Sequence, residues 1–88
     1  MPHLRRSPRS LRIRELLVQH RLAAGLTQAE LAKLVGRTQD FVSRLENGER
    51  RLVLEDFLDF AEALNISKVD FLGSVLSVPA ARPVRKVR

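Results

Sequence analysis

Gln39, Asp40, Ser43 and Arg44 are spaced so that, on a helix, all four project from one side while Val42 and Leu45 project from the other. They offer an amide, a carboxylate, a hydroxyl and a guanidinium, a set suited to recognising polar edges through directed hydrogen bonds. Bond-making chemistry has no comparable set. There are no cysteines, which excludes a disulfide framework and a thiolate metal site, and the two histidines, His3 and His20, stand alone. Ser43 with scattered carboxylates forms no nucleophile–base–oxyanion arrangement. A chain of 88 residues is also too short to enclose a deep pocket beside a complete core. Neither an enzyme nor a cofactor or metal site is expected.

Sixteen Lys and Arg against ten Asp and Glu give +6, and a pI near 11.3 points to a polyanionic partner. The charge is unevenly placed. Arg5, Arg6 and Arg9 lie in the first ten residues and Arg82, Arg85, Lys86 and Arg88 in the last twelve. Residues 52–76 carry only Lys68 against Glu55, Asp56, Asp59, Glu62 and Asp70, so the folded part is expected to have a basic and an acidic side.

Pro2, Pro8, Pro79 and Pro83 sit among the terminal arginines, where apolar periodicity is missing. Residues 1–10 and 77–88 are therefore expected to be flexible basic arms around a domain at 11–76. No apolar run approaches the roughly 20 residues of a bilayer span, and no apolar stretch follows the basic N-terminus. A cytoplasmic protein without membrane contact is expected.

Within 11–76 the apolar spacing is three and four throughout, which predicts an all-α domain of five helices. The first is expected at about 11–24, with Ile13, Leu16, Leu17, His20 and Ala24 on one face and Gly25 as its cap. His20 there reads as a packed histidine. Thr27 and Glu30 form a T-x-x-E capping box for a second helix through about Val35, with Leu31, Ala32 and Val35 as its buried stripe. Thr38 caps a third, ending at Glu46 and the Asn47-Gly48 pair. A fourth is expected at about 54–64, with Phe57, Leu58, Ala61 and Leu64 inward. The fifth starts from a Ser67 cap and carries Val69, Phe71, Leu72, Val75 and Leu76, with Phe71 and Leu72 read as core. Helices two and three are joined by about three residues starting at Gly36, the spacing of a helix-turn-helix. The small Ala32 lets the two helices close, Gly36 permits a left-handed turn, and Val42 fills the corner.

The segment LTQAELAKLVGRTQDFVSRLENG, residues 26–48, followed by LEDFLDFAEALNIS, residues 54–67, resembles the Cro/phage-repressor type of helix-turn-helix protein, also called the xenobiotic-response-element family. Counting from Gln28, the family's small residue falls at Ala32, its turn glycine at Gly36 and its apolar anchors at Val42 and Leu45. The resemblance implies a compact lambda-repressor-like domain and a buried ion pair between Arg21 and Glu46. It also implies sequence-specific binding of double-stranded DNA, with the third helix in the major groove and the second across the backbone.

On that resemblance the expected base readers are Thr38, Gln39, Asp40, Ser43 and Arg44. Gln39 suits adenine N6 and N7 and Arg44 suits guanine O6 and N7, each pair worth about 1 to 3 kcal/mol of discrimination when bidentate. Asp40 fits two readings, an acceptor for cytosine N4 or an acid favoured by the helix N-terminus. Phe41 reads as packing at the helix edge, with contact to a thymine methyl as the alternative. Gln28, Arg37, Asn47, Arg50 and Arg51 are the expected phosphate contacts. Glu49 stands where relatives often carry lysine, and Leu52 and Val53 where they often carry proline and a serine cap.

A single small domain implies a two-fold homodimer for useful affinity, and Leu52, Val53, Val75 and Leu76 are the expected dimer contacts. The function expected is a transcriptional regulator, a repressor, bound to an operator in the nucleoid. The alternative is an antitoxin or adaptor that uses the same fold to engage a protein partner.

Overall fold

The computed structural model describes residues 7–87, and the expectations for Arg5, Arg6, His3 and Arg88 fall outside that range. Five α-helices follow one another: α1 (Pro8–Ala23), α2 (Gln28–Leu34), α3 (Gln39–Glu46), α4 (Leu54–Leu64) and α5 (Lys68–Leu76). No strand occurs among the described residues. The order and the type of every element agree with the periodicity.

Helix α1 starts three residues before the expected position. The Ser7 hydroxyl accepts from the Ser10 amide at 3.1 Å, and Pro8 occupies the first turn, where its missing N–H would have had no partner in any case. Residues 8–10, assigned to the basic arm on their proline and charge, therefore open the helix. The Arg9 side chain is held too, its Nε donating to the Val78 carbonyl at 2.7 Å. Residues 79–87 have no helix or strand.

Local signals set the next two helices as expected. Thr27 Oγ1 accepts from the Glu30 amide at 3.1 Å while Glu30 Oε1 accepts from the Thr27 amide at 2.8 Å. Thr38 Oγ1 accepts from the Phe41 amide at 3.1 Å. Between them Gly36 takes φ of +70°, a left-handed conformation that a β-carbon would penalise. Helix α4 starts without a side-chain cap at Val53, and Asn65 ends it at φ of +54°.

The core joins all five helices: Leu17, Leu31, Ala32, Phe41, Val42, Leu45, Phe57, Phe60, Ala61, Phe71 and Val75, with Ile66 from the α4–α5 connection. Burial corrects the sequence reading at several residues. Phe60 is fully buried and Leu58 is not, because Phe57, Phe60 and Ala61 share the i, i+3, i+4 stripe and Leu58 lies well off it. Phe41 is core, not helix edge. Leu72 is 52% exposed, since it belongs with Val69 and Leu76 to a second apolar face of α5 that the domain does not cover. Ala24, placed on the inward face of α1, is exposed. His20 is half-buried with its ring 6.2 Å from that of Phe71, a packed histidine.

Among the described residues Arg21 and Asp56 are buried charged residues, and each ties helices together. Arg21 of α1 donates from Nε to Glu46 Oε2 at 2.7 Å and from Nη2 to Oε1 at 3.0 Å, while Nη1 donates to the Leu26 carbonyl at 2.8 Å. Gln28 of α2 adds a bond from Nε2 to Glu46 Oε1 at 2.8 Å. One carboxylate thus joins α1, α2 and the last residue of α3. The second is Asp56 in the first turn of α4, which accepts from Arg37 Nη2 at 2.7 Å and ties the α2–α3 turn to α4.

Glu46→Ala is expected to lower the unfolding free energy by about 3 to 5 kcal/mol, because it strands the Arg21 charge in the interior. Chemical denaturation checks this, and an unchanged midpoint would refute it. The second pair is asymmetric, with the Arg37 side chain 39% exposed and the Asp56 side chain 6% exposed. Arg37→Ala leaves an enclosed carboxylate and should cost more than Asp56→Ala, after which the guanidinium can rehydrate. Denaturant titrations of the two variants compare them, and the reverse order would contradict the burial argument.

Candidate nucleic-acid interface

Helix α3 buries Phe41, Val42 and Leu45 and leaves Gln39, Asp40 and Arg44 exposed, with Ser43 half-buried beside them. The expected face therefore exists. Thr38 is exposed at its start, where its hydroxyl already serves as the N-cap.

Arg44 is not an independent arm on this face. Its Nε donates to Asp40 Oδ2 at 2.8 Å, one turn earlier, and its Nη1 lies 3.5 Å from Glu49 Oε1. The Asp40 hydrogen bond, the Asp40 charge and then the Glu49 charge together raise the Arg44 pKa above its ordinary value. The guanidinium stays charged at every physiological pH, and it lies between the two acids on the exposed side of α3. Asp40 thus has a role the sequence reading did not include, that of an i, i+4 partner of Arg44.

The loop after α3 is built around the Arg44 backbone. The Glu49 and Arg50 amides both donate to the Arg44 carbonyl, at 2.8 and 3.1 Å, and Asn47 Oδ1 accepts from the Glu49 amide at 3.2 Å. Gly48 has φ of +86°, and a β-carbon there would stand 2.6 Å from Arg14 Nη1. Arg14 of α1 therefore packs directly on the loop backbone. Arg51 is exposed beside it.

Phe41 is the organising side chain that periodicity misplaced. The guanidinium carbons of Arg37 and Arg50 each lie 4.4 Å from its ring centroid, so one aromatic ring positions two of the expected phosphate contacts by cation–π attraction. The arginines on either side of α3 in the sequence were the available signal. Gln28, also expected at phosphate, spends one amide N–H on Glu46.

A separate apolar groove lies between α1, the α3–α4 loop and α5. It has a volume of about 240 Å³ and is lined by Ile13, Leu52, Val53, Leu54, Phe57, Phe71, Leu72 and Val75. Val53, Leu54 and Leu76 are 54%, 73% and 66% exposed, whereas Val75 is 8% exposed and belongs to the chain's own core. No cluster of potential metal ligands occurs among the described residues, and none of their helices is long and apolar enough to cross a membrane.

The geometry agrees with what is found by comparison. The helix-turn-helix domain model matches residues 12–71. An XRE-family-like protein from Pseudomonas syringae pv. tomato is 40% identical, with a TM-score of 0.73 over 78% of this chain and 84% of that one. The clp gene regulator ClgR from C. glutamicum is 26% identical, with a TM-score of 0.70 over 93% of this chain and 100% of that one. A restriction-modification controller protein, at 23% identity, shares the fold with a TM-score of 0.69 over 75% of this chain and 88% of that one. No protein of curated function shows significant similarity to the sequence. With the model covering most of the folded region and the buried Arg21–Glu46 pair and helix-turn-helix in place, the chain belongs to the XRE family of helix-turn-helix proteins.

Proposed function

We propose that this chain is a DNA-binding transcription regulator, a repressor, that reads an operator in the major groove with α3. Membership of a helix-turn-helix family supports the DNA-binding regulation. The observation that carries the finer reading is the exposed face of α3. Gln39, Ser43 and Arg44 stand on a helix whose other side is anchored by three core residues and whose last residue is locked to α1 and α2 through Glu46. A recognition helix must hold its side chains in register with base pairs, and this frame supplies that rigidity.

In this reading Gln39 and Arg44 contact base edges. The α2 N-terminus, Gln28, Arg37, Asn47, Arg50 and Arg51 meet phosphates. Because Asp40 and Glu49 already hold Arg44, base contact either keeps Asp40 on Nε and offers the Nη edge to guanine, or exchanges both acids for the base. Two copies dock through the groove between the α3–α4 loop and α5, burying Leu52, Val53, Leu72 and Leu76, and place two α3 helices about 34 Å apart on one side of the duplex. The exposed second face of α5 supports this contact. An adaptor would instead cover that face with a different protein.

Selection from a random double-stranded DNA library with the full chain is the direct test. An inverted repeat with half-sites one helical turn apart is expected, and salt-sensitive binding without an enriched motif would overturn specific reading. Arg44→Ala should then relax preference at one base pair, whereas Arg51→Ala should weaken every sequence alike and reduce the salt slope by about 1. Equal losses on all sequences for both variants would show that Arg44 reads no base.

A further inference from the structure

The first turns of α1 and the α3–α4 loop enclose a second cleft, of about 290 Å³. Its floor is aliphatic, formed by Ile13, Leu17, Leu45 and Leu52, and Arg9, Arg14, Arg50 and Arg51 stand around it with Ser7 and Ser10. None of its lining residues is acidic. Elsewhere in the domain Arg12, Arg21, Arg37 and Arg44 each lie against a carboxylate. Arg9, Arg50 and Arg51 have no ion pair among the described residues.

Arg9, Arg50 and Arg51 place like charge around one depression, and an anion among them relieves their mutual repulsion. A phosphate or sulfate would use the charge alone. It would leave four aliphatic side chains facing an ion that gains nothing from them. A carboxylate with an apolar body uses both features, its head among the arginines and serines and its body on the floor, the combination of apolar lining and few polar groups that small-molecule sites share. We propose that this cleft binds a small amphipathic organic anion, a carboxylate carrying an aliphatic or aromatic body.

The walls of the cleft are poorly free to collapse around an empty centre. Arg9 is tethered to the Val78 carbonyl, Arg50 lies over Phe41, and Leu17 and Leu45 are core residues at 2% and 1% exposure. Leu45 belongs to α3, and Arg50 and Arg51 belong to the loop assigned above to phosphate contact, so an occupant competes with DNA for those two arginines. That regulatory consequence rests on the DNA-binding reading. The binding itself does not.

The test is a methyl NMR titration of the full chain without DNA, using octanoate as the probe, with octylammonium and inorganic phosphate as comparisons. Saturable shifts are expected at the methyls of Ile13, Leu17, Leu45 and Leu52 with octanoate. Octylammonium should give none, and inorganic phosphate should bind at least tenfold more weakly. Arg51→Ala, at an exposed position, should weaken octanoate about tenfold, the loss of one charged hydrogen bond. Lys68→Ala, in the acidic segment 52–76, should leave it unchanged. Absence of saturation at these methyls would overturn the proposal. So would equal binding of octylammonium, equal binding of inorganic phosphate, which marks a site for backbone phosphates, or shifts centred on Phe71 and Leu72 in the other groove.

Discussion

Everything that makes α3 useful depends on one buried carboxylate. Glu46 accepts from two nitrogens of Arg21 and one of Gln28, so residues from three helices converge on two oxygen atoms. Removing two opposite charges from water costs several kcal/mol per ion, and the Coulombic gain roughly offsets it only when every lone pair is used. Here the third Arg21 nitrogen also donates, to the Leu26 carbonyl in the turn between α1 and α2. The interaction therefore acts less as a source of stability than as a fixed point. An apolar contact in its place would allow α3 to slide or rotate by a fraction of a turn. A carboxylate with three directed partners does not.

The outer side of α3 follows a different rule. Charges there are solvated, so the Asp40–Arg44–Glu49 chain adds little to the stability of the fold. It governs presentation. Arg44 is confined by two acids that do not themselves face the core, while Arg37 and Arg50 are placed by contact with Phe41, whose ring is almost wholly enclosed. Arg44, Arg37 and Arg50, the cations on and beside α3, thus fall into two classes. One is held by neighbouring carboxylates, the other by an aromatic ring and, for Arg37, by the buried Asp56.

The apolar surface has a similar division. Helix α5 shows one face, Phe71 and Val75, to the core and another, Val69, Leu72 and Leu76, to solvent. A helix apolar on both sides is incompletely buried by one small domain. The groove beside Leu52 and Val53 continues that exposed face, at the two positions where the chain departs from the family's proline and serine cap. Helix α4 consequently starts with no side-chain cap, and Val53 and Leu54 at its start are largely exposed.

Much of this was legible in the residues alone. Helix number and order, the Thr27–Glu30 box, the Thr38 and Ser67 caps, the left-handed turn at Gly36 and the face carrying Gln39 and Arg44 are local, because caps, turns and periodicity are encoded within four or five residues. Resemblance added the Arg21–Glu46 pair, which no local rule predicts. Burial was less legible: Phe60 and Leu58 were exchanged, Phe41 was placed at an edge and Leu72 in the core. Periodicity names a helix face, but only its neighbours decide how wide a stripe they cover. The Arg37–Asp56 tie, the stacking on Phe41, the Asp40 and Glu49 contacts with Arg44 and the arginine-lined cleft join residues whose proximity arises only when separate helices pack. The sequence by itself determined the helices, their caps and which side of α3 is exposed. Tertiary structure alone decided which charges meet, because an ion pair depends on distances of a few ångströms between segments that no spacing along the chain specifies.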